Sequence, residues 1–342
     1  MLKPPFIVAE ISGNHKQSLK RAYKLVDAAA RAGADAIKLQ TFKPEEMTLN
    51  INSGEFVLKN KSINGSWRNK TLYEVFKIAQ TPWKWHEKIF KRAKKKGLKY
   101  FSSPFDEEAV EFLEKLKVPI YKIASAENIH FPLIKKVVKT KKPIIISTGM
   151  MNIKELDEVV SYVKKLGCKN ITLLKCTTEY PSPAQDSNVL LIPFLKRRYK
   201  CNIGLSDHTL GIGASIAAIS HGATIIEKHL TLKRNDGAID SFFSLEPDEF
   251  KLLVNESKIA FKSLGKVKLD ISKSEKKYQK YRRSIYVVKD IKKGESFTKF
   301  NIKIIRPGLG MHPKFYDQLI GKKSKRDIKK GTAMKNFFVK FK

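Results

Sequence analysis

The stretches GLSDHTLG (204–211) and TIIEKHL (224–230) decide the fold that we expect for this chain. Each contains a short run with the composition of a strand, and a histidine stands at the end of each run, His208 in the first and His229 in the second. The segment between them, IGASIAAISHG (212–222), is predicted to form a helix. Because neighbouring parallel strands end at the same edge of a sheet, both histidines are expected on one rim, within reach of one ion or one substrate.

Strand and helix patterns alternate eight times over about 225 residues. The predicted strands are PFIVAE (5–10), AIKLQT (36–41), KYFSSP (99–104), PIYKIAS (119–125), PIIIST (143–148), ITLLKC (171–176), NIGLSD (202–207) and TIIEKH (224–229). Amphipathic segments such as LKRAYKLVDAAARAG (19–33) are predicted helices, and several of them end at glycine. This alternation predicts an α/β fold, a (β/α)8 TIM barrel.

Polar residues stand at nearly every predicted strand end. They are Glu10, Lys38 with Gln40, Ser102 with Ser103, Lys122 with Ser125, Ser147 with Thr148, Cys176 with Thr177, Asp207 with His208, and Lys228 with His229. Any one of them could be an ordinary turn residue, but eight such ends together favour a site at the carboxyl ends of the strands, where barrel enzymes carry their chemistry.

Two connections are candidates for covering that end of the barrel. Residues 42–70 carry no helical period, yet the apolar residues of 56–58 and Trp67 argue against disorder, so we expect a lid or a substrate loop. The second candidate is TTEYPSPAQDSN (177–188), which two prolines stiffen.

The pattern changes after a helix predicted at 246–265. The expected domains are a barrel over 1–265, a charged linker over 266–282 and a small β-rich domain over 283–342. The last contains a repeat, KDIKKGE (289–295) and RDIKKGT (326–332), each predicted as a strand end followed by a glycine turn.

The net charge of +35 is the unusual feature of the composition. A basic nucleic-acid-binding protein is therefore the non-enzyme alternative. However, the basic residues are spread along the chain, and only eleven of the 68 are arginine, which pairs bidentately with phosphate and guanine. We favour solvated lysine-rich surfaces and expect no nucleic-acid partner.

The sequence also carries expectations about location. It has no run of about 18 apolar residues and no signal-peptide pattern. Its three cysteines show no CxxC spacing, as is usual in a reducing compartment. We expect a cytoplasmic protein without a membrane partner.

The rim residues suggest a metal site and an anion site. Two imidazoles can bind a divalent ion and leave positions open for water or substrate, and Asp207 or Asp240 is the expected acceptor that orients them. Lys38 and Lys122 would form a cationic pocket for a phosphate and a carboxylate on one small ligand. The hydroxyls expected in that pocket are those of Ser103, Ser125 and Ser147.

A simpler interpretation of the lysines is that they are only ion-paired, with Glu10 and Glu127 as partners. The residues by themselves also leave the reaction open, since the same groups would serve an aldolase, an isomerase or a phosphatase.

A resemblance to the sialic acid synthase family narrows this choice. The motifs that carry it run through nearly the whole chain: FIVAEISGNH (6–15), GADAIKLQTF (33–42), FSSPF (101–105), YKIAS (121–125), ISTGM (146–150), CTTEYP (176–181), GLSDHTLG (204–211) and IEKH (226–229). The family's enzymes condense phosphoenolpyruvate with an acylated amino sugar to give a nonulosonic acid. The stretch 282–331 resembles the family's antifreeze-like (SAF) domain, for which covering the substrate is favoured over binding ice.

Within the family, the branch of pseudaminic acid synthases is the most similar. The segments concerned are EFVLK (55–59), WRNKTLYEVF (67–76), TPWKWH (81–86), DSFFSLEPDEF (240–250) and GMHPKFYDQLIGKK (310–323). The branch implies a transferase that uses 2,4-diacetamido-2,4,6-trideoxy-altropyranose. N-acetylmannosamine and the legionaminic acid precursor are the alternative sugars, although the chain has GAID (237–240) where typical N-acetylneuraminate synthases have PGPD.

The resemblance implies a role for each rim residue. His208 and His229 would hold a divalent metal, Mn²⁺ or Mg²⁺, and Glu10 would handle a proton of the water or of a sugar hydroxyl. The residues implied for phosphoenolpyruvate are Lys38, Ser103, Lys122, Ser125, Ser147, Thr178 and Ser206. Those implied for the sugar are Gln40, Tyr180, Asp240 and Arg306. Thr178 stands where the family often has asparagine, a change that keeps a hydrogen-bond donor.

Arg306, in IIRPG (304–308), matches an arginine that the family's SAF domain contributes to the active site of the partner subunit. The resemblance therefore implies a domain-swapped homodimer, in which the charged linker spans between subunits. A barrel aldolase that acts on another phosphoenolpyruvate-derived acid is the remaining enzyme alternative.

Overall fold

The eight apolar runs form one closed parallel barrel, with the strands in chain order. The structure is a computed structural model that describes residues 4–59 and 67–339. The strands are β1 (Phe6–Glu10), β2 (Ala36–Thr41), β3 (Lys99–Pro104), β4 (Tyr121–Ile123), β5 (Ile144–Ser147), β6 (Ile171–Cys176), β7 (Asn202–Asp207) and β8 (Ile225–His229). Pairing of β8 with β1, which places Glu10 opposite His229, closes the barrel. The predicted (β/α)8 fold is confirmed.

Helices accompany the strands of the barrel. They are α1 (Leu19–Ala32), α2 (Pro44–Met47), α3 (Leu72–Ala79), α4 (Trp83–Lys95), α5 (Glu107–Lys115), α6 (Phe131–Lys139), α7 (Ile153–Lys165), α8 (Leu191–Tyr199), α9 (Gly213–Ser220) and α10 (Pro247–Ser263). All of these helices except α2 and α3 bury apolar residues in the core cluster around the strands. Gly33 ends α1 with a left-handed φ of 83°, a conformation that glycine adopts without steric cost.

The connection between β2 and β3 is the longest in the barrel, and it contains more structure than its sequence predicts. The loop expected over 42–70 includes a helix of four residues, α2, which begins with a proline in its first turn, as suits a helix start. A capping box then begins α3: the side chain of Thr71 accepts from the backbone of Glu74, and the Glu74 side chain accepts from the backbone of Thr71. Part of the predicted lid, 60–66, lies outside the described residues.

The interior of the barrel changes from apolar to polar along the strands. One layer of inward-facing side chains is an apolar cluster made of Val8, Ala36, Phe101, Ile145 and Leu174. Two residues further along each of these strands stand Glu10, Lys38, Ser103, Ser147 and Cys176. Since side chains two residues apart on a strand share a face, the polar layer lies directly above the apolar one, at the carboxyl ends.

The first compact unit of the chain ends at Gly265, and the second begins at Lys266. The elements of the second unit are α11 (Lys273–Lys276), β9 (Ser284–Val287), β10 (Ile302–Ile305) and α12 (Tyr316–Leu319). Strands β9 and β10 form an antiparallel pair, and most other β structure in the described part of this unit consists of isolated bridges. A separate linker over 266–282 stays a prediction.

The two copies of the DIKKG repeat face each other in the second unit. Ile291 of the first copy bridges Ile328 of the second. The Asp327 side chain accepts from the backbone N–H of Lys293 at 2.8 Å, and Asp290 accepts from that of Lys330 at 2.8 Å. The repeat thus forms a local two-fold arrangement, which the sequence predicted only as two separate turns. No helix in the described part of the chain is both long and apolar enough to cross a membrane.

Candidate active site

Four buried charges form the floor of the site at the carboxyl ends of the strands. Lys38 on β2 forms an ion pair with Glu10 on β1. Lys122 on β4 places its Nζ 3.0 Å from Oε1 of Glu227 on β8, and Lys38 Nζ lies 3.7 Å from the same oxygen. Of the two glutamates considered from the sequence as partners of the lysines, Glu10 pairs with Lys38. Glu127 pairs with neither lysine in the described ion pairs, and Glu227 is the partner of Lys122.

Glu227 is the main residue of the floor that the sequence interpretation missed. Burial would raise the pKa of this carboxyl, but the neighbouring Lys122 and Lys38 lower the pKa to about 2. The alternation of side chains along β8 could have identified Glu227 as an inward-facing residue. Ile225, Glu227 and His229 alternate along β8 and therefore share its inner face, while Lys228 points outward.

Hydroxyl groups line the space around this floor. Ser206 Oγ donates to Glu227 at 3.3 Å, and Lys38 Nζ donates to Ser103 Oγ at 3.4 Å. Ser147 Oγ and Thr178 Oγ1 are buried without a protein partner. A buried hydroxyl without a partner loses hydrogen-bond energy unless water or a ligand supplies one.

Gly149 lets two of these hydroxyls come close together. A Cβ atom at this position would collide with the hydroxyl oxygens of Thr178 and Ser125, so the site requires glycine here. All seven residues predicted to bind phosphoenolpyruvate thus lie at this end of the barrel. Their role in binding it stays a prediction.

The ring of His208 is oriented by the backbone. Its Nδ1 lies 2.8 Å from the carbonyl oxygen of Thr177, and because a carbonyl can only accept, Nδ1 carries the hydrogen. In the neutral ring, the free lone pair is therefore on Nε2. The predicted acceptor Asp207 is wrong. Its carboxylate faces the outside of the barrel, where it pairs with Lys228 at 2.9 Å and accepts from Ser215 at 2.6 Å.

His229 stands beside His208, with 5.6 Å between the ring centroids. Its Nδ1 is buried without a hydrogen-bond partner, and Oδ2 of Asp240 lies 3.9 Å away. Burial lowers the pKa of His229 well below its usual value, and the charge of Lys38 lowers it further, so the ring is neutral near pH 7. A neutral imidazole is the form that binds a metal.

These donors fit a divalent ion that is only partly coordinated by protein. Two imidazoles lie side by side with their rings edge-on, one of them has an unpartnered buried nitrogen, and a carboxylate is close by. Within 4–59 and 67–339, no group of three or more histidine, cysteine or acidic side chains is arranged to hold a metal. Water or substrate would supply the other ligands.

A cavity of about 350 Å³ opens beside His229. Its polar lining comes from Gln40, Ser125, Glu127, Thr178, Tyr180, His229 and Asp240. Both candidate loops contribute to it: 42–70 through Leu58 and Trp67, and 177–188 through Thr178 and Tyr180. The Tyr180 ring packs against His208 at 4.4 Å between centroids.

Glu127 lies in the wall of this cavity and is a second residue whose importance the sequence interpretation missed. Its Oε2 is buried without a partner. Burial raises the pKa of this carboxyl to about 7. A carboxyl that titrates near neutral pH inside a cavity can both donate and accept a proton. Arg306 is exposed on the second unit, and its predicted contact with a partner's site stays a prediction.

The comparisons with known proteins cover nearly the whole chain. The sequence profile of the NeuB family matches residues 25–269, and that of the SAF domain matches residues 282–335. The pseudaminic acid synthase of Campylobacter jejuni serotype O:2 is 43% identical over 333 residues, which cover 97% of this chain and 96% of that protein. The N,N'-diacetyllegionaminic acid synthase of the same strain is 37% identical, covering 98% of this chain and 100% of that protein.

The fold is also similar to that of a solved structure of a sialic acid synthetase. N-acetylneuraminic acid synthetase from Leptospira borgpetersenii, crystallised with citrate, superimposes with a TM-score of 0.70 at 34% identity. The match covers 81% of this chain and 90% of that one.

Proposed function

The chain belongs to the NeuB family, and on this premise we propose that it condenses phosphoenolpyruvate with 2,4-diacetamido-2,4,6-trideoxy-altrose to give pseudaminic acid and phosphate. The choice of sugar is supported by the identity of 43% to a pseudaminic acid synthase, against 37% to a diacetyllegionaminic acid synthase. The legionaminic acid precursor and N-acetylmannosamine are the alternative sugars.

The observation that carries this proposal is the combination of buried ammonium and hydroxyl groups with two adjacent imidazoles. Phosphoenolpyruvate brings a phosphate and a carboxylate, and it would be held by Lys38, Ser103, Lys122, Ser125, Ser147, Thr178 and Ser206. The unpartnered hydroxyls of Ser147 and Thr178 would gain acceptors. The two lysines would form charge-assisted hydrogen bonds in a site of low dielectric, where such bonds are strong.

His208 and His229 would bind the divalent ion, Mn²⁺ or Mg²⁺, and Asp240 would hold a water bound to it. The ion, when bound, acts as a Lewis acid on the aldehyde oxygen of the open-chain sugar. The protein's own contribution is orientation: the carbonyl of Thr177 fixes the ring of His208. Gln40 and Tyr180, which line the cavity, would contact the sugar.

The reaction balances without a further reagent. C3 of phosphoenolpyruvate attacks the aldehyde carbon and forms the new C–C bond, water adds to the cation at C2, and phosphate leaves with cleavage of its C–O bond. Of the two protons of the water, one ends on the aldehyde oxygen, which becomes a hydroxyl, and the other leaves with the phosphate. The Glu10 carboxylate at the end of β1 is the group proposed to handle the first of them. Glu127, with its pKa near 7, is a second group able to exchange a proton with the sugar.

A phosphate-release assay with phosphoenolpyruvate tests the proposal. We expect turnover with the diacetamido altrose sugar, loss of turnover with a chelator, and recovery on addition of Mn²⁺ or Mg²⁺. Turnover with N-acetylmannosamine and none with the diacetamido sugar would replace the proposed substrate. Release of phosphate from phosphoenolpyruvate without a new nonulosonic acid would exclude the synthase reaction.

We also propose a domain-swapped homodimer in which Arg306 enters the partner's barrel. The proposal is supported by the exposure of Arg306 on the second unit and by the match of that unit to the SAF domain.

A further inference from the structure

One wall of the cavity is apolar throughout. Helix α3 contributes Leu72, Val75, Phe76 and Ala79, whose spacing of three, four and seven residues places them on one helical face. Behind them, Phe42 packs edge-to-face against Phe76 and Phe105, with centroid distances of 5.8 and 5.2 Å. Leu58 and Trp67, from the same connection between β2 and β3, also line this side of the cavity. We call this surface the α3 wall.

The α3 wall offers a ligand no free hydrogen-bonding side chain among its described residues. The only polar group in it is the indole N–H of Trp67, and this already donates to the carbonyl of Ile239 at 3.1 Å. A sugar hydroxyl placed against the wall would lose its hydrogen bonds to water and find no replacement, which costs free energy. A methyl group in the same place would be removed from water, which is favourable.

The α3 wall is also held in place rather than free to adapt. The capping box fixes the start of α3. At its other end, the side-chain amide of Gln17 donates to the carbonyls of Ile78 and Gln80 at 3.0 and 2.7 Å. Tyr73 adds a hydrogen bond to Glu45 at 2.8 Å. A wall fixed in this way selects substrates by what it can accommodate.

We propose that the α3 wall binds the C6 methyl group of the sugar and makes the enzyme selective for 6-deoxy sugars. The inference rests on the proposed function, which places the aldehyde, C1, at His208 and His229. In an open-chain hexose, C6 is the end furthest from C1. The polar side chains of the cavity lining belong to other segments of the chain than the α3 wall, so this wall is the apolar surface available to C6.

The test compares two sugars that differ by one oxygen atom: 2,4-diacetamido-2,4,6-trideoxy-altrose and its 6-hydroxy counterpart. We expect kcat/KM to favour the 6-deoxy sugar about 10- to 200-fold, the range of discrimination available to an apolar pocket. Val75→Thr keeps the volume of the side chain and adds a hydroxyl to the wall. This variant is expected to reduce the preference about 10-fold by improving the 6-hydroxy substrate.

Ile78→Thr is the matched control, because Ile78 lies on the other face of α3, 41% exposed and outside the cavity lining. It should keep the wild-type preference. An unchanged preference in a folded Val75→Thr enzyme, or no preference in the wild type, would overturn the inference alone. If Val75→Thr does not fold, Ala79→Ser tests the same face under the same criterion. No turnover with either sugar would overturn the proposed function, and the inference with it.

Discussion

The free nitrogen atoms of two histidines decide the chemistry at the scale of single residues. The hydrogen bond from His208 Nδ1 to the carbonyl of Thr177 leaves Nε2 as the nitrogen that can bind a metal, and burial keeps His229 neutral. We predict that His208→Ala or His229→Ala weakens binding of Mn²⁺ at least about 100-fold and abolishes condensation, while the fold is retained. Calorimetric titration with Mn²⁺ measures the first effect and phosphate release the second. His221→Ala, outside the cavity, should change neither, and full activity in both active-site variants would exclude the metal site.

Glu127 gives a prediction about pH at the same scale. Its pKa is raised by burial from the usual 4.5 to about 7. Below pH 4.5 the carboxyl is protonated in both the folded and the unfolded protein. Between pH 4.5 and 7 it is ionised in the unfolded chain but still protonated in the folded protein. Stability is therefore lost as pH rises through this interval, by about 3 kcal/mol in total.

Replacing Glu127 by glutamine removes that loss. Glu127→Gln should be more stable than the wild type by about 3 kcal/mol at pH 8 and by much less at pH 4.5, measured by urea denaturation. Exposed Glu158 is the control, since Glu158→Gln should show the same small difference at both pH values. A difference for Glu127→Gln that does not depend on pH would contradict the burial argument.

The sequence was sufficient to identify most of the charged and polar residues of the site, but not which of them pair with each other. Lys38, Lys122 and the two histidines were found because charged or polar side chains at the ends of buried strands need a reason to be there. The partner of Lys122 could not be found in this way. Alternation along a strand says which residues face inward, but which of them meet across the barrel depends on the stagger of all eight strands.

The pair Lys228–Asp207 connects β7 to β8 at the scale of elements. Both side chains are almost fully buried outside the barrel, each beside one of the two histidines in sequence. Breaking such a pair leaves an uncompensated buried charge, so Lys228→Met should lower the free energy of unfolding by about 3–5 kcal/mol. It should also weaken Mn²⁺ binding, because the spacing of the histidines depends on the register of these strands.

The control for Lys228→Met is an ion pair at the surface. Lys136 pairs with Glu111 at 2.6 Å near solvent, and Lys136→Met should leave both stability and metal binding unchanged. Equal effects of the two substitutions, measured by denaturant unfolding and titration with Mn²⁺, would mean that the buried pair has no special role.

The predicted strands and long helices agree with the structure because their apolar period extends over many residues. For example, the predicted strand 36–41 is β2, and the predicted helix 19–33 corresponds to α1. The segment 42–70 gave no such signal. Helix α2 has four residues, about one turn, and one turn is too short for a helical period to repeat.

At the scale of the whole molecule, the proposed exchange of Arg306 between subunits predicts complementation. Arg306→Ala and His229→Ala should each be inactive alone. When the two are unfolded and refolded together, half of the dimers are mixed, and each mixed dimer has one barrel with His229 that receives an intact Arg306. About a quarter of the sites, and of the wild-type activity, should return in the phosphate-release assay.

Mixing the same variants without refolding is the control, since subunits that do not exchange cannot complement. If Arg306 instead served the barrel of its own chain, mixed dimers would contain no intact site. No recovery of activity, with dimers present by light scattering, would therefore contradict the exchange.

The α3 wall lies in the connection between β2 and β3, outside the ladder of hydrogen bonds that forms the barrel. Substitutions and changes of length in such a connection leave the strand register, and with it the reacting groups, undisturbed. Evolution can therefore change the sugar that is accepted without rebuilding the catalytic floor. The same separation makes residues 42–82 a natural cassette for exchange between relatives in enzyme engineering.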